Sequence, residues 1–329
     1  MPKETLIFII KAFISLLCGF ICSYFINKFL IISERKKSIA QAIRDDIVST
    51  HQAKSKTPTM GGIGIVVSTI IVSLIINYNQ LHDRALISFL ISLIGFFMIG
   101  FVDDYLKVKK KNSKGLSALF RLLLEIFLVM FILYFLNYDD KDKWKIVIPI
   151  SHGFVSLGFL FIPLVIFMIV GSSNAVNMAD GLDGLASGLV FMAITPFIVI
   201  FIEKEMYAAA LFLLALDGAI SGFLTFNFHP AKIFMGDCGS LPLGAVLALS
   251  ALVSEQIIIL LVAGGLFIVE TMSVILQVAS YKSFHKRIFK MAPLHHHFEM
   301  KGVAEWKVVM AFYVVGYLLS FLALILGVI

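Results

Sequence analysis

The sequence predicts an all-α integral membrane protein with about ten transmembrane helices, both termini outside and a small periplasmic hairpin near 138–156. Three observations carry that expectation. Of 329 residues, 60% are hydrophobic and only 15% charged, and mean hydropathy is +0.97; a soluble domain has about half apolar and a quarter charged residues. The apolar residues fall in runs of the length that a bilayer core of about 30 Å demands. Between the runs the charges fall in blocks, with Lys and Arg concentrated on alternate loops. This composition excludes a disordered chain. It also speaks against a nucleic-acid partner, because the basic blocks alternate with apolar runs instead of forming one stripe. Cys18, Cys22 and Cys238 are too few for a disulfide framework or a four-cysteine zinc site.

The apolar runs lie near 5–32, 61–77, 85–102, 117–137, 154–176, 185–202, 206–226, 241–253, 257–279 and 308–329. The first is too long for a signal-peptide core and lacks a small-residue cleavage site, so it reads as a span. The run at 241–253 is short enough to be re-entrant, and charge decides for a crossing. With ten spans, one set of loops carries seventeen Lys and Arg and the other six. The richer set (33–60, 103–116, 171–184, 227–240, 280–306) belongs in the cytoplasm. A re-entrant 241–253 would turn the basic 280–306 loop outward and weaken that asymmetry. The outer stretch 138–156 combines Pro149 with a β-branched patch at Ile146–Ile148, the composition of the hairpin. No repeat or low-complexity tract divides the chain, which reads as one polytopic domain over 1–329.

Polar clusters interrupt this pattern, all on the predicted cytoplasmic side. Asp103 and Asp104 leave the third run; adjacent carboxylates repel, and a divalent cation taking oxygen ligands would relieve them. Helix caps at a membrane boundary use the same residues. Lys107, three and four positions on, shares their face if the helix continues. Asn174, Asn177, Asp180 and Asp183 recur every three residues and form one polar stripe if helical, or a glycine-loosened loop with Gly181 and Gly184. Asp237 sits in a glycine-flanked turn suited to a metal ligand or a helix cap. His295, His296 and His297 cannot all aim at one ion from a helix, so donation to a phosphate or sugar fits better than zinc. Carboxylates, lysines and histidines converging on one face are what metal-assisted phosphoryl transfer needs.

Six segments in order carry a resemblance: TPTMGG at 57–62, DDYLK at 103–107, NAVNMADGLDGLA at 174–186, FMGDCGS at 234–240, ETMSVILQV at 270–278 and APLHHHFEMKG at 292–302. The chain resembles the polyprenyl-phosphate N-acetylhexosamine-1-phosphate transferase family over nearly its whole length, and its histidine segment resembles that of the branch acting on muramoyl-pentapeptide. The resemblance implies a Mg2+-dependent phosphoglycosyl transferase of the bacterial plasma (inner) membrane, with its active site on the cytoplasmic face and a homodimeric state. Undecaprenyl phosphate would attack UDP-N-acetylmuramoyl-pentapeptide, giving lipid I and UMP. By motif position Asp103, Asp104 and Asp237 would be catalytic, with Asp103 activating the lipid phosphate. Asp237, Asp103 and Asp180 would be the metal ligands. Lys54, Lys107 and His295 would handle phosphates. Thr59, Asn177, Asp180, Gly181, Leu182, Asp183, Phe234 and Gln277 match positions around the uridine and metal, and His296 and His297 the sugar-phosphate.

Two residues depart from the family pattern: Lys56, where glycine is usual, and Asp217, a carboxylate within a span. Two rivals stand beside this reading. A sister transferase would move N-acetylglucosamine-1-phosphate to the same lipid. A secondary transporter would also use carboxylates in the membrane, but near its midplane.

Overall fold

The computed structural model describes residues 3–42, 57–110, 115–138, 144–149, 151 and 153–328. In chain order the helices are α1 (Lys3–Ala42), α2 (Gly62–Ile76), α3 (Arg84–Lys110), α4 (Ala118–Phe135), α5 (Phe161–Ala179), α6 (Leu185–Glu203), α7 (Tyr207–Asn227), α8 (Asp237–Val253), α9 (Ile257–Ala263), α10 (Gly265–Phe284), α11 (Leu294–Glu299) and α12 (Glu305–Val328). Each of the ten apolar runs is mainly helical, the run near 154–176 opening in a short strand and the run at 257–279 dividing into two helices. Among the described residues, seven helices are long and apolar enough to cross a membrane, and α9 with α10, bent by 74°, make an eighth if counted as one span. The two shorter apolar helices, α2 and α8, complete the set. Large apolar side chains such as Phe127 and Phe167 stand more than 70% exposed on the bundle surface; in lipid such a surface is solvated rather than a liability.

The predicted hairpin is present. β1 (Lys145–Val147) pairs antiparallel with β2 (Phe154–Ser156), placing Lys145 opposite Ser156 and Val147 opposite Phe154.

The short run becomes helix α8. At 17 residues it spans about 25 Å at 1.5 Å per residue, and Cys238–Leu252 are all buried. It packs on α2, α3, α5, α6 and α9, so it needs no lipid-length apolar face of its own. The run at 257–279 departs from a single straight span: it breaks at Gly264 between α9 and α10. Helix α3 continues past its apolar run to Lys110, which makes Asp103 and Asp104 helix-interior residues.

Two close approaches build the end of the bundle that carries the polar clusters. A Cβ on Gly100 of α3 would collide with the backbone carbonyl of Asp237, and one on Gly62 with the backbone of Gly239. Residues 58–62 also bond along 234–235: Phe234 N–H donates to the Pro58 carbonyl, Gly61 N–H to Phe234 and Gly62 N–H to Met235. Asp217 is buried in α7 with Oδ1 unpartnered among the described residues. Lys56 lies outside the described residues.

Candidate active site

Adjacent residues on a helix point about 100° apart, so Asp103 and Asp104 do different work. Asp103 Oδ2 lies 2.6 Å from Lys107 Nζ, the i,i+4 partner on the same face, and Oδ1 accepts the Leu116 N–H at 2.6 Å. Asp104 turns toward α8, where Oδ2 accepts the Cys238 N–H at 3.0 Å. Gly236 precedes α8 without a capping side chain, at φ +75°. The carboxylate from α3 therefore caps α8 from outside, satisfying one of the free N–H groups of its first turn.

Asp237 opens α8, and its Oδ2 receives Lys107 Nζ at 2.9 Å and Arg121 Nη1 at 3.4 Å. Asp103, Asp104 and Asp237 each offer one oxygen, all within 4.8 Å of one another. The N-terminal end of α8 adds its partial positive charge to this anionic group. Helices α3, α4 and α8, the last far from the others in sequence, thus bring three carboxylates and two cations to one point.

Arg121 belongs to no sequence motif. From α4 it also pairs with Glu125 at 3.2 Å and bonds the Asn174 side-chain oxygen, while Asn174 Nδ2 donates to Glu125 Oε2 at 2.9 Å. The signal in the sequence was an Arg–Glu i,i+4 pair inside an otherwise apolar run, since ionisable groups within spans default to function.

The polar stripe from Asn174 does not run to Asp183, because α5 ends at Ala179 and α6 starts after Gly184 at φ +80°. Asp180 caps α5 beside the carboxylate group. Burial, and then the charges of Asp237 and Asp104, push its carboxyl up to about 7. Asp183 points elsewhere: Oδ2 meets His229 Nδ1 and the Ala231 N–H, each at 3.0 Å, and its own N–H donates to Glu305 at 2.9 Å. Asn227 accepts the Gly184 N–H at 3.1 Å and the Ser187 hydroxyl at 3.0 Å. The 180–184 turn is thereby fastened to the α7–α8 loop and to α12. Leu182 is buried in the core and its carbonyl accepts the Leu185 N–H at 3.1 Å, and Asn177 is half-buried on the last turn of α5.

Among the histidines, His295 is fully buried and His296 half-buried, and both Nε2 atoms converge over Gly181, where an added Cβ would collide with the first and meet the second at 3.2 Å. His297 turns away, its Nδ1 accepting the Lys290 N–H at 3.0 Å. Gln277 is engaged with its own loop: Nε2 donates to Phe289 O, and Oε1 accepts the Ile288 and Phe289 N–H groups. A cavity beside it is lined by Tyr281, Lys282, Arg287 and Lys290. Thr59 is exposed and Phe234 half-buried, on the paired segments at the mouth of the site. Lys54 lies outside the described residues.

A multi-pass helical bundle with carboxylates, cations and histidines gathered at one end defines a membrane-embedded group-transfer enzyme, and the chain belongs to Glycosyl transferase family 4, which residues 86–255 match. More particularly, it is 43% identical over 312 residues to the phospho-N-acetylmuramoyl-pentapeptide-transferase of Bacillus anthracis (strain A0248), covering 94% of this chain and 96% of that one. It is 44% identical over 313 residues, with the same coverage, to the proteins of that name from Bacillus thuringiensis (strain Al Hakam) and Bacillus cereus (strain AH187).

Proposed function

We propose that this chain transfers phospho-N-acetylmuramoyl-pentapeptide from UDP-N-acetylmuramoyl-pentapeptide to undecaprenyl phosphate, giving lipid I and UMP. The observation that carries this reading is the meeting of Asp103, Asp104 and Asp237 beside Lys107 and Arg121, in a chain similar along 94% of its length to transferases named for that reaction. A phosphate oxygen of the lipid attacks the sugar-linked phosphorus, the new P–O bond forms, and the bond to UMP breaks.

The donors suit Mg2+, being carboxylate oxygens throughout. Asp237, Asp103 and Asp104 would hold the ion, with Asp180 close enough to feel their charge. Bound there, it would neutralise charge across the phosphates. The lipid phosphate is already mostly ionised at pH 7, its second pKa being about 6 by analogy with phosphoserine. Both Asp103 oxygens are engaged, so Asp103 orients Lys107 toward the phosphates more than it collects a proton. Lys107 and Arg121 offset the charge that develops in transfer. The Lys/Arg asymmetry of the loops supports a cytoplasmic position for this end of the bundle at the plasma membrane, where the nucleotide sugar would arrive from water and the lipid from the bilayer. Carboxylates gathered at one end, rather than mid-bundle, favour transfer over transport.

Purified protein in lipid nanodiscs, supplied with undecaprenyl phosphate and either UDP-N-acetylmuramoyl-pentapeptide or UDP-N-acetylglucosamine, tests the assignment. Lipid product and UMP are expected with the first donor. Turnover with the second alone would overturn it.

The Asp180 carboxyl sets a pH dependence. Burial and its carboxylate neighbours push it up to about 7, so ionising it opposes folding and stability should fall as pH rises from about 4 to 7. A divalent cation favours the ionised form, so Mg2+ affinity should increase between about pH 6 and pH 8 and then level off. Calorimetric titration with Mg2+ across that range measures this, and Asp180→Asn should flatten the profile.

A further inference from the structure

Glu270 lies in α10, after the break at Gly264, and is fully buried, as is His295. Its carboxylate takes two contacts from that one residue: Oε1 accepts the His295 backbone N–H at 3.2 Å, and Oε2 lies 3.1 Å from Nδ1. The other ring nitrogen, Nε2, is buried and has no partner among the described residues. It is aimed at Gly181, in the turn that follows Asp180. A buried nitrogen without a partner carries a desolvation cost unless something fills its valence, and the group it faces is the backbone edge of the site. His296 repeats the arrangement nearer the surface, with Nδ1 2.6 Å from Glu299 Oε2 and its ring centroid 4.2 Å from that of His295. The surface pair forms within one helical turn; the buried one joins α10 to α11 across 25 residues.

We propose that Glu270 is a positioning residue for the transfer reaction. Its carboxylate holds the proton on Nδ1 of His295, fixes the ring plane, and presents the Nε2 lone pair across Gly181 as an acceptor for a hydroxyl or amide hydrogen of the bound sugar. A backbone N–H can only donate, so it keeps one carboxylate oxygen as an acceptor and leaves the other to accept a hydrogen bond from Nδ1–H. Such outer partners of a ring nitrogen set its tautomer and orientation. This inference rests on the transfer reading above, and its test separates the two.

Glu270→Gln keeps the side-chain volume and an acceptor for the backbone N–H, but it turns an amide N–H donor toward Nδ1. The ring must then carry its proton on Nε2. In full-length protein in nanodiscs, kcat should fall about 10- to 100-fold, the usual cost of losing such a partner, while KM for the nucleotide sugar stays within about threefold and thermal unfolding is little changed. The 15N spectrum of the histidine rings, assigned with His295→Asn, should show Nδ1 protonated in the unsubstituted protein and Nε2 protonated in Glu270→Gln. A folded Glu270→Gln protein with kcat within about threefold of normal would overturn the proposal. So would an unsubstituted His295 ring whose single proton sits on Nε2, a readout that needs neither activity nor a folded variant. Absence of lipid product from the unsubstituted protein would instead sink the transfer reading, leaving the ring's tautomer to be judged by the spectrum.

Discussion

Asp237→Asn should lower kcat by at least about a thousandfold while the protein still folds. The expectation follows from position. Among the described residues Asp237 is the one carboxylate that meets both Lys107 and Arg121, and it shares its ligand cluster with Asp103 and Asp104. Removing its charge weakens the cation site and frees both basic groups from the orientation they need to meet phosphate; loss of one such electrostatic element typically costs about 10²–10³-fold in rate. Two elements fail together here. Folding should survive because the α8 N-terminus is capped by Asp104, not by Asp237. The measurement is initial rate of lipid product at saturating Mg2+, with thermal unfolding as the control. Activity within tenfold of normal would remove Asp237 from the centre of the mechanism.

The second large effect belongs to Arg121. Glu125 is 1% exposed, and Arg121 is its charge partner. Arg121→Gln leaves that carboxylate buried beside Asn174 alone, which costs about 3–5 kcal/mol for an uncompensated buried charge. Stability and activity should therefore fall together. The double variant Arg121→Gln/Glu125→Gln separates the two roles: with no buried charge remaining, most of the stability should return, because replacing both members of a buried pair is often near neutral. Activity should not return, since the contact to Asp237 is still missing. Thermal unfolding and turnover of the three proteins give the comparison. Full activity in the double variant would reduce Arg121 to a counter-ion for Glu125.

Much of the architecture was legible in the sequence, because a bilayer permits few solutions. A spanning segment must be apolar and must satisfy its own backbone hydrogen bonds, so the ten apolar runs are mainly helical, the one at 257–279 as a bent pair. The outer hairpin was readable from Pro149 and its β-branched neighbours. The Asp103–Lys107 pair was readable as well, since i and i+4 share a helix face. Where α5 stops was harder to see: a three-residue polar period looks helical until Gly181 and Gly184 admit a turn, and the turn sends Asp180 to the carboxylate group and Asp183 to His229. Helix α8 was ambiguous because hydropathy reports solvent, and its neighbours are protein on every side.

What the sequence alone determined is a helical membrane bundle whose chemistry-bearing residues interrupt apolar runs, since both hydropathy and helical periodicity are local properties. Only the tertiary structure decided which of those residues meet. Asp104 caps a helix more than 130 positions away, Arg121 reaches Asp237 from another helix, and Glu270 holds His295 across a loop. Such pairings depend on the crossing and close approach of helices, set by glycines such as Gly100 and Gly62 that let backbones touch. Packing of that kind leaves no periodic trace along the chain.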